Sequence, residues 1–355
     1  VRASPVFYYR VVWSRLRAEL RHMRRTVEWP FRRREIERRL EVIREVPCRE
    51  RGGERCVVTG VVRDAGPFLE VFLEHYFRLG VSGIVLLDNG SEDGTAERAL
   101  SYPGVSVLRC TLPFRDYDLA FKRFLVERYG EGSWCLLADH DELFDYPGSD
   151  RLPLAGLLRY LNERGFTAVM AVVLDMFPDG PAESWPPPGR DAVEAAVWYD
   201  LSGLSSSRPW RLLLTNRFAD PQMRFYRGGL PFRLFGMRTV ATRFPLIRYV
   251  RGGPLSLRRL QHFARGAHVA DVSAVLRHYK FDRSYLERCR VFTARGQHFG
   301  QAALYRAGLA AFEKDPRLVL RGPSARRLDH VNQLVEEGLL RASPAYWEFV
   351  RSWAA

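Results

Sequence analysis

Three carboxylates follow one short apolar run in this chain. Cys135-Leu-Leu-Ala138 reads as a buried strand, and Asp139, Asp141 and Glu142 come at its end. Carboxylates set so close repel one another and are costly to desolvate, so they call for a cation. Oxygen-only ligands suit a hard ion, Mg²⁺ or Mn²⁺. An ion at the carboxyl end of a strand in an α/β sheet is well placed to grip a diphosphate. The competing reading of the same residues is an acidic surface turn.

The upstream elements favour the first reading. Thr59-Gly-Val-Val-Arg-Asp64 reads as a strand entering a polar turn. Phe68, Leu69, Phe72, Leu73, Tyr76 and Phe77 have helical spacing over residues 68–79, and Gly80 ends that helix. Ile84-Val-Leu-Leu87 is a second strand, delivering the turn-rich segment 88–95, where Ser91 or Asp93 could cap a helix running toward Leu100. Val105–Cys110 reads as a third strand and 116–129 as a helix. Such alternation predicts an α/β fold with a mostly parallel, doubly wound sheet flanked by helices.

In order along the chain, Val61-Val-Arg-Asp64, 68–81, Leu87-Asp-Asn-Gly-Ser-Glu-Asp-Gly-Thr95 and Asp139-His-Asp-Glu142 resemble the family 2-like glycosyltransferases of GT-A fold, in the subgroup with an Asp-x-Asp-Glu motif. Leu174-Asp-Met-Phe-Pro-Asp-Gly180, 226–235, 244–249 and Leu276-Arg-His-Tyr-Lys-Phe281 fit the same subgroup, so the likeness covers roughly residues 55–290. It implies a Rossmann-like nucleotide half. There Asp88 faces the nucleobase, accepting the N3–H of a uracil, and Asp139 lies near the ribose. Arg63, Asp64, Asn89 and a cation from Arg115, Lys122 or Arg123 complete the nucleotide contacts. The likeness also implies Mn²⁺ or Mg²⁺ held by Asp139, Asp141 and His278, and a nucleotide-sugar donor, a UDP-sugar. Related sequences carry Asn-Glu where this chain has Asp64-Ala65, so that loop departs from the pattern. His278 is alternatively a hydrogen-bonded, partly buried histidine, and Lys280 faces either a phosphate or solvent.

An inverting transfer needs a carboxylate beside the acceptor hydroxyl. Asp175 and Asp179, which follow the apolar run Ala168–Leu174, are the candidates, with Asp179 preferred; Glu183 lies on the same loop. Each is alternatively a turn residue beside Pro or Gly. The implied acceptor is a saccharide or lipid-linked acceptor.

The formal charge of +14 favours anionic partners. Arginines crowd residues 10–45 among Trp13, Leu16, Leu20 and Trp29, giving a basic helical arm. It is either an anchor to an anionic membrane surface or a packing arm. The expected organisation is an arm over 1–50, a nucleotide-binding half over 51–150, an acceptor-side half over 151–295, and a helical C-terminal cap over 296–355, with Ala302–Phe312 and His330–Leu340 as its best helices. Trp185, Trp198, Tyr199 and Trp210 cluster around a Pro-rich loop as sugar-stacking or packing residues. No apolar run approaches the roughly 20 residues that span a bilayer. Five cysteines without a framework suggest a reducing cytoplasm, which predicts a cytoplasmic or peripheral inner-face location. Two other function classes remain: a nucleotidyl-transferring or nucleotide-sugar-binding relative, and a basic membrane- or nucleic-acid-binding protein. No phosphate-cradling Gly-Lys loop, dinucleotide fingerprint or nucleic-acid motif is present, so no specific nucleic acid is expected.

Overall fold

The computed structural model describes residues 27–47, 54–209, 212, 215–253, 256–257, 264–295 and 302–353. The arginine-rich arm before residue 27, Cys48, Trp210 and His262 lie outside the described residues.

The eleven strands of the central sheet are β1 Glu41–Arg44, β2 Cys56–Val62, β3 Gly83–Asp88, β4 Val105–Arg109, β5 Trp134–Leu137, β6 Glu142–Asp145, β7 Ala168–Asp175, β8 Arg217–Phe218, β9 Thr242–Arg248, β10 His268–Val269 and β11 Ala274–His278. Their order is β1-β4-β3-β2-β5-β9-β7-β10-β8, with β11 paired to both β7 and β6. Parallel pairings join β4, β3, β2 and β5, as the alternation with helices requires. Antiparallel β9 then separates β5 from β7. The fold is thus α/β, with a mostly parallel central sheet flanked by helices.

Side chains alternate across the strands and sort onto two layers. Val58 and Val62 pack with Leu69, Phe72 and Tyr76 of α2 (Gly66–Leu79; α1 is the helix over 27–39). Val57 and Val61 pack on the other face with Phe121, Phe124 and Leu125 of α4 (Phe114–Tyr129), α3 being Thr95–Leu100. Burying each such Phe or Leu stabilises the layer by about 1.5–3 kcal/mol. Pro67 starts α2, and Gly80, at φ 94°, ends it with its N–H on the last carbonyls. Helix α1 continues the second layer: Ile36 is wholly buried there and Trp29 packs beside it.

One sequence expectation needs correction. The segment His330–Leu340 is helical only over Gln333–Glu336, because Gly338 takes a left-handed φ of 74° and turns the chain. The Pro-rich segment from Pro181 to Arg190 is a loop as expected, holding one short 3₁₀ turn, Ala182–Ser184, and a helix, Arg190–Ala195, begins at its end. Helix Ala302–Lys314 forms as expected, and a further helix, Pro344–Trp353, packs Tyr346 edge-on against Tyr160. Trp185 is wholly buried and donates its indole N–H to the Gly180 carbonyl, so it packs rather than offering an open face. Cys56, Cys110, Cys135 and Cys289 are buried and in no disulfide. Among the described residues, no helix is long and apolar enough to cross a membrane.

Candidate functional site

The carboxyl ends of β5, β7 and β11 place the chemistry. The turn after β5 carries Asp139 and Asp141, and Glu142 opens β6. Register then brings in residues far along the chain: His278 pairs with Asp175 in the parallel β11–β7 ladder and with Glu142 in the antiparallel β11–β6 ladder. The Tyr279 N–H donates to the Asp141 carbonyl at 2.9 Å, tying the turn to β11. From behind, the Tyr76 hydroxyl of α2 donates to the Glu142 carbonyl at 2.9 Å and accepts the Phe144 N–H at 3.1 Å.

Two ionic clusters result. In the first, Lys122 of α4 donates to Asp139 Oδ1 at 3.1 Å and also meets Asp118 at 3.2 Å. Arg243 of β9 reaches Asp139 Oδ2 at 3.2 Å and the Glu142 carboxylate at 2.6 Å. Burial raises the Asp139 carboxyl, but the charges of Lys122 and Arg243 outweigh it and hold it well below the usual range. Burial pushes Glu142 up to about 7 against the opposing pull of Arg243. In the second cluster, His278 Nδ1 lies 2.7 Å from Asp175 Oδ1 and its Nε2 lies 3.3 Å from Asp141 Oδ2. Lys280 Nζ completes it, 2.8 Å from Asp175 Oδ1. Burial disfavours a charged imidazole, yet Asp141 and Asp175 raise His278 to about 9. Burial would raise both aspartates too. His278 instead holds Asp141 far down, and Lys280 with His278 holds Asp175 at about 2.

Among the described residues, no three His, Cys, Asp or Glu side chains are assembled to hold an ion. Of the expected ligands, Asp141 and His278 face each other, whereas both oxygens of Asp139 are engaged by cations. The pair still fits a hard divalent ion. Neighbouring ligands at roughly 2.1 Å from one ion stand about 3 Å apart, and such ions commonly take one or two protein ligands plus phosphate and water. The contact between Asp175 and Nδ1 is the kind of outer carboxylate that orients a ligating histidine.

The remaining expected residues lie elsewhere along the sheet edge. Asp88 ends β3 and is 1% exposed. Its Oδ1 accepts the Ser91 N–H at 3.1 Å and the Ser91 hydroxyl, and Oδ2 accepts Arg109 Nε at 3.1 Å. Asn89 is a brace, donating to the carbonyls of Cys110 at 2.6 Å and Leu112 at 2.8 Å. Asp64, at φ 50°, accepts the Glu92 N–H at 2.9 Å, and exposed Arg63 lies 3.9 Å from its carboxylate. Asp93 rather than Ser91 binds the start of α3, through the Thr95 N–H, and it also accepts the Gly66 N–H at 2.9 Å. A Cβ at Gly66 would stand 2.8 Å from that carboxylate, so this close approach needs glycine. Arg123 turns away from the carboxylates, bonding Glu127 and covering the Trp29 ring at 4.3 Å. Asp179 is half exposed and pairs with Arg321. The sequence reading missed Arg243. Its only signal was a charge inside an apolar strand beside Pro245. Proline lacks a ladder donor, the register shifts between Arg243 and Leu246, and such a bulge re-aims a side chain.

No protein-family model and no curated protein matches the chain. Among solved structures it is similar to mannosyl-3-phosphoglycerate synthase from Rubrobacter xylanophilus, at 20% identity and a TM-score of 0.24, over 35% of this chain and 41% of that one. It thus spans less than half of that protein. It is similar to a nucleotidyl transferase from Methanothermobacter thermautotroptrophicus, at 16% identity and a TM-score of 0.21, over 39% of this chain and 70% of that one. It is also similar to the mannosyltransferase PcManGT from Pyrobaculum calidifontis, solved with GDP-Man and Mn²⁺, at 14% identity and a TM-score of 0.27, over 96% of this chain and 93% of that one.

Proposed function

We propose that this protein is a metal-dependent glycosyltransferase of GT-A type. It moves a sugar from a nucleoside diphosphate sugar to a hydroxyl of a saccharide or lipid-linked acceptor. The observation that carries this reading is the convergence of Asp139, Asp141, Asp175 and His278, with Lys122, Arg243 and Lys280, at one carboxyl edge of the sheet. Asp141 and His278 would hold the ion, Mn²⁺ or Mg²⁺. When bound, a divalent ion supplies Lewis-acid stabilisation of the departing nucleoside diphosphate. Asp175 fixes the imidazole ring through Nδ1. Lys122 and Arg243 hold Asp139 ionised and fix its orientation.

In an inverting transfer the acceptor oxygen forms its bond to the anomeric carbon as the bond to the diphosphate oxygen breaks. The hydroxyl proton passes to a carboxylate, and both bond electrons leave with the diphosphate. Asp175 is too acidic at about 2, and too engaged, to serve well as that base. Asp179, half exposed and held by Arg321, stays the candidate. Asp179→Asn is expected to abolish transfer while sparing nucleotide binding.

The donor base has two readings. A uracil was expected to donate its N3–H to Asp88. That carboxylate already accepts three hydrogen bonds and is buried, and the group presented beside it is the one-third exposed guanidinium of Arg109. A guanidinium matches the acceptor edge of guanine, O6 and N7, which favours a GDP-sugar as the second reading. Thermal stabilisation by UDP, GDP, ADP and CDP, each with Mn²⁺ and with chelator, tests both points. A metal-dependent rise that disappears in Asp141→Asn supports the donor site, and the most stabilising nucleotide identifies the base. No rise with any nucleotide would sink the reading.

A further inference from the structure

The strands that carry the carboxylate edge have a reverse face. Arg277 of β11 pairs with Leu143 of β6, one residue along from the His278–Glu142 pair. Side chains alternate across a strand, so Arg277, Tyr279 and Leu143 face away from His278 and Glu142. The apolar neighbours sort the same way: Leu143, Val275 and Tyr279 belong to one core cluster, Phe144 and Leu276 to another. On the reverse face these strands, α2 and the helix Arg190–Ala195 line a recess of about 200 Å³.

Its polar groups have a fixed order. Arg277 lies inside. Asp145 Oδ2 approaches its Nη2 only to 3.5 Å, and the Tyr279 hydroxyl meets the same guanidinium. Arg277 Nε is shut off from solvent and has no hydrogen-bond partner. A buried donor left unmet is costly. His75 lines the recess from α2. Burial and the charge of Arg277 push its imidazole down to about 4, so the ring is neutral near pH 7. Its Nε2 lies 2.9 Å from the Phe144 carbonyl, which can only accept, so Nε2 carries the proton and Nδ1 is left as an acceptor. Exposed Glu194 adds a carboxylate at the rim, and Val71, Leu143 and Val193 supply apolar wall. Arg190 donates to both oxygens of Glu74 at 2.9 Å, which fixes the helix that carries Val193 and Glu194 against α2. Walls already in place lower the ordering cost of binding.

A simple carboxylate would meet Arg277 but would bring no donor to His75 and would face Glu194. A simple amine would meet His75 and Glu194 but would leave Nε unmet and face the charge of Arg277. A molecule with an acceptor at one end, a charged donor beside it and an apolar branch satisfies all three. We infer that this recess binds a small apolar α-amino acid as its zwitterion, with the carboxylate on Arg277, the ammonium between His75 and Glu194, and the side chain along Val71, Leu143 and Val193. The inference does not rest on the transferase reading, because none of these side chains belongs to the carboxylate edge.

Calorimetric titration of the full chain with L-valine, L-leucine and L-methionine, each alone, tests it. Saturable binding of at least one is expected. The analogues of that ligand lacking the amino or the carboxyl group, for leucine 4-methylpentanoate and 3-methylbutylamine, should each bind at least tenfold more weakly. Two variants locate the site. Arg277→Lys keeps a cation beside Asp145 but loses the Nε donor, and should weaken binding roughly tenfold. Glu194→Lys reverses an exposed rim charge, leaves the fold intact, and should weaken binding roughly fivefold. No saturable binding of any of the three amino acids overturns the inference. So does an analogue that binds as tightly as its parent, or binding to Glu194→Lys equal to wild type.

Discussion

Asp139 is held by two permanent cations, Lys122 and Arg243, whereas its neighbour but one, Asp141, is held by an imidazole. The two clusters are adjacent and share a turn, yet their chemistry differs. Lysine and arginine stay charged at any ordinary pH, so the first cluster cannot exchange its cations for a metal. An imidazole can give up its Nε2 proton and present a lone pair in the same place. The first cluster therefore keeps Asp139 ionised and positioned, and the second is where a metal could enter. The carboxylates also differ in burial: Glu142 is wholly buried, whereas the Asp139 and Asp141 side chains are partly exposed.

The largest expected effect breaks the second cluster. Asp141→Asn removes the proposed charged ligand and should eliminate metal-dependent stabilisation by nucleotides, a larger loss than that of the apo protein, in which Asp175 still pairs with His278. Calorimetric melting of the apo and nucleotide-bound forms measures both. Melting of the two states lowered in equal measure would place Asp141 in the framework instead.

Breaking the first cluster should do the reverse. Arg243→Met leaves the buried Glu142 carboxylate without its cation, and removing one partner of a buried pair costs about 3–5 kcal/mol. Urea unfolding of the variant against wild type reads this directly. A loss below about 1 kcal/mol would show that Glu142 becomes protonated at little cost and that Arg243 is there for ligand rather than fold.

A third change sharpens the comparison inside the second cluster. Asp175→Asn keeps the shape of the contact to His278 but weakens its hold on the ring. Outer-ligand changes of this kind typically lower metal affinity about 10–100-fold. Titrating Mn²⁺ into the nucleotide-bound protein, followed by manganese electron paramagnetic resonance, gives the value. Unchanged affinity would remove His278 from the ligand set.

The two clusters were not equally legible in sequence. Strands β2 to β5 and helices α2 and α4 follow from local apolar periodicity, because each element buries one face against the next. Asp139 and Asp141 were visible for the same reason, as acids abruptly ending an apolar run. The partner that separates their roles was not: Arg243 lies 104 residues from Asp139, and it faces inward only because the register shifts at Pro245. Asp88 shows the opposite failure. Its position at a strand end was read correctly, but its engagement by Ser91 and Arg109 depends on a turn and on a neighbouring strand's register, which spacing does not encode. Glycine-rich turns such as 338 hide helix ends in the same way, because the φ they adopt is settled by tertiary packing.

The smallest expected effect separates two neighbours on α4. Sequence offered Lys122 and Arg123, with Arg115, as unranked candidates to face a nucleotide. Consecutive helical residues point about 100° apart, so only one can face the sheet edge. Lys122 does, against Asp139 and Asp118; Arg123 lies over Trp29 of α1 and bonds Glu127. Arg123→Ala removes a partly exposed cation–π contact and an i,i+4 pair, together about 0.5–1.5 kcal/mol, and should leave nucleotide stabilisation intact. Lys122→Ala should weaken nucleotide stabilisation by loosening Asp139. Measured side by side by urea unfolding and nucleotide-dependent melting, equal losses of nucleotide stabilisation would mean that α4 positions the site as a rigid body. Loss in Lys122→Ala alone would tie it to the one side chain that reaches the carboxylates.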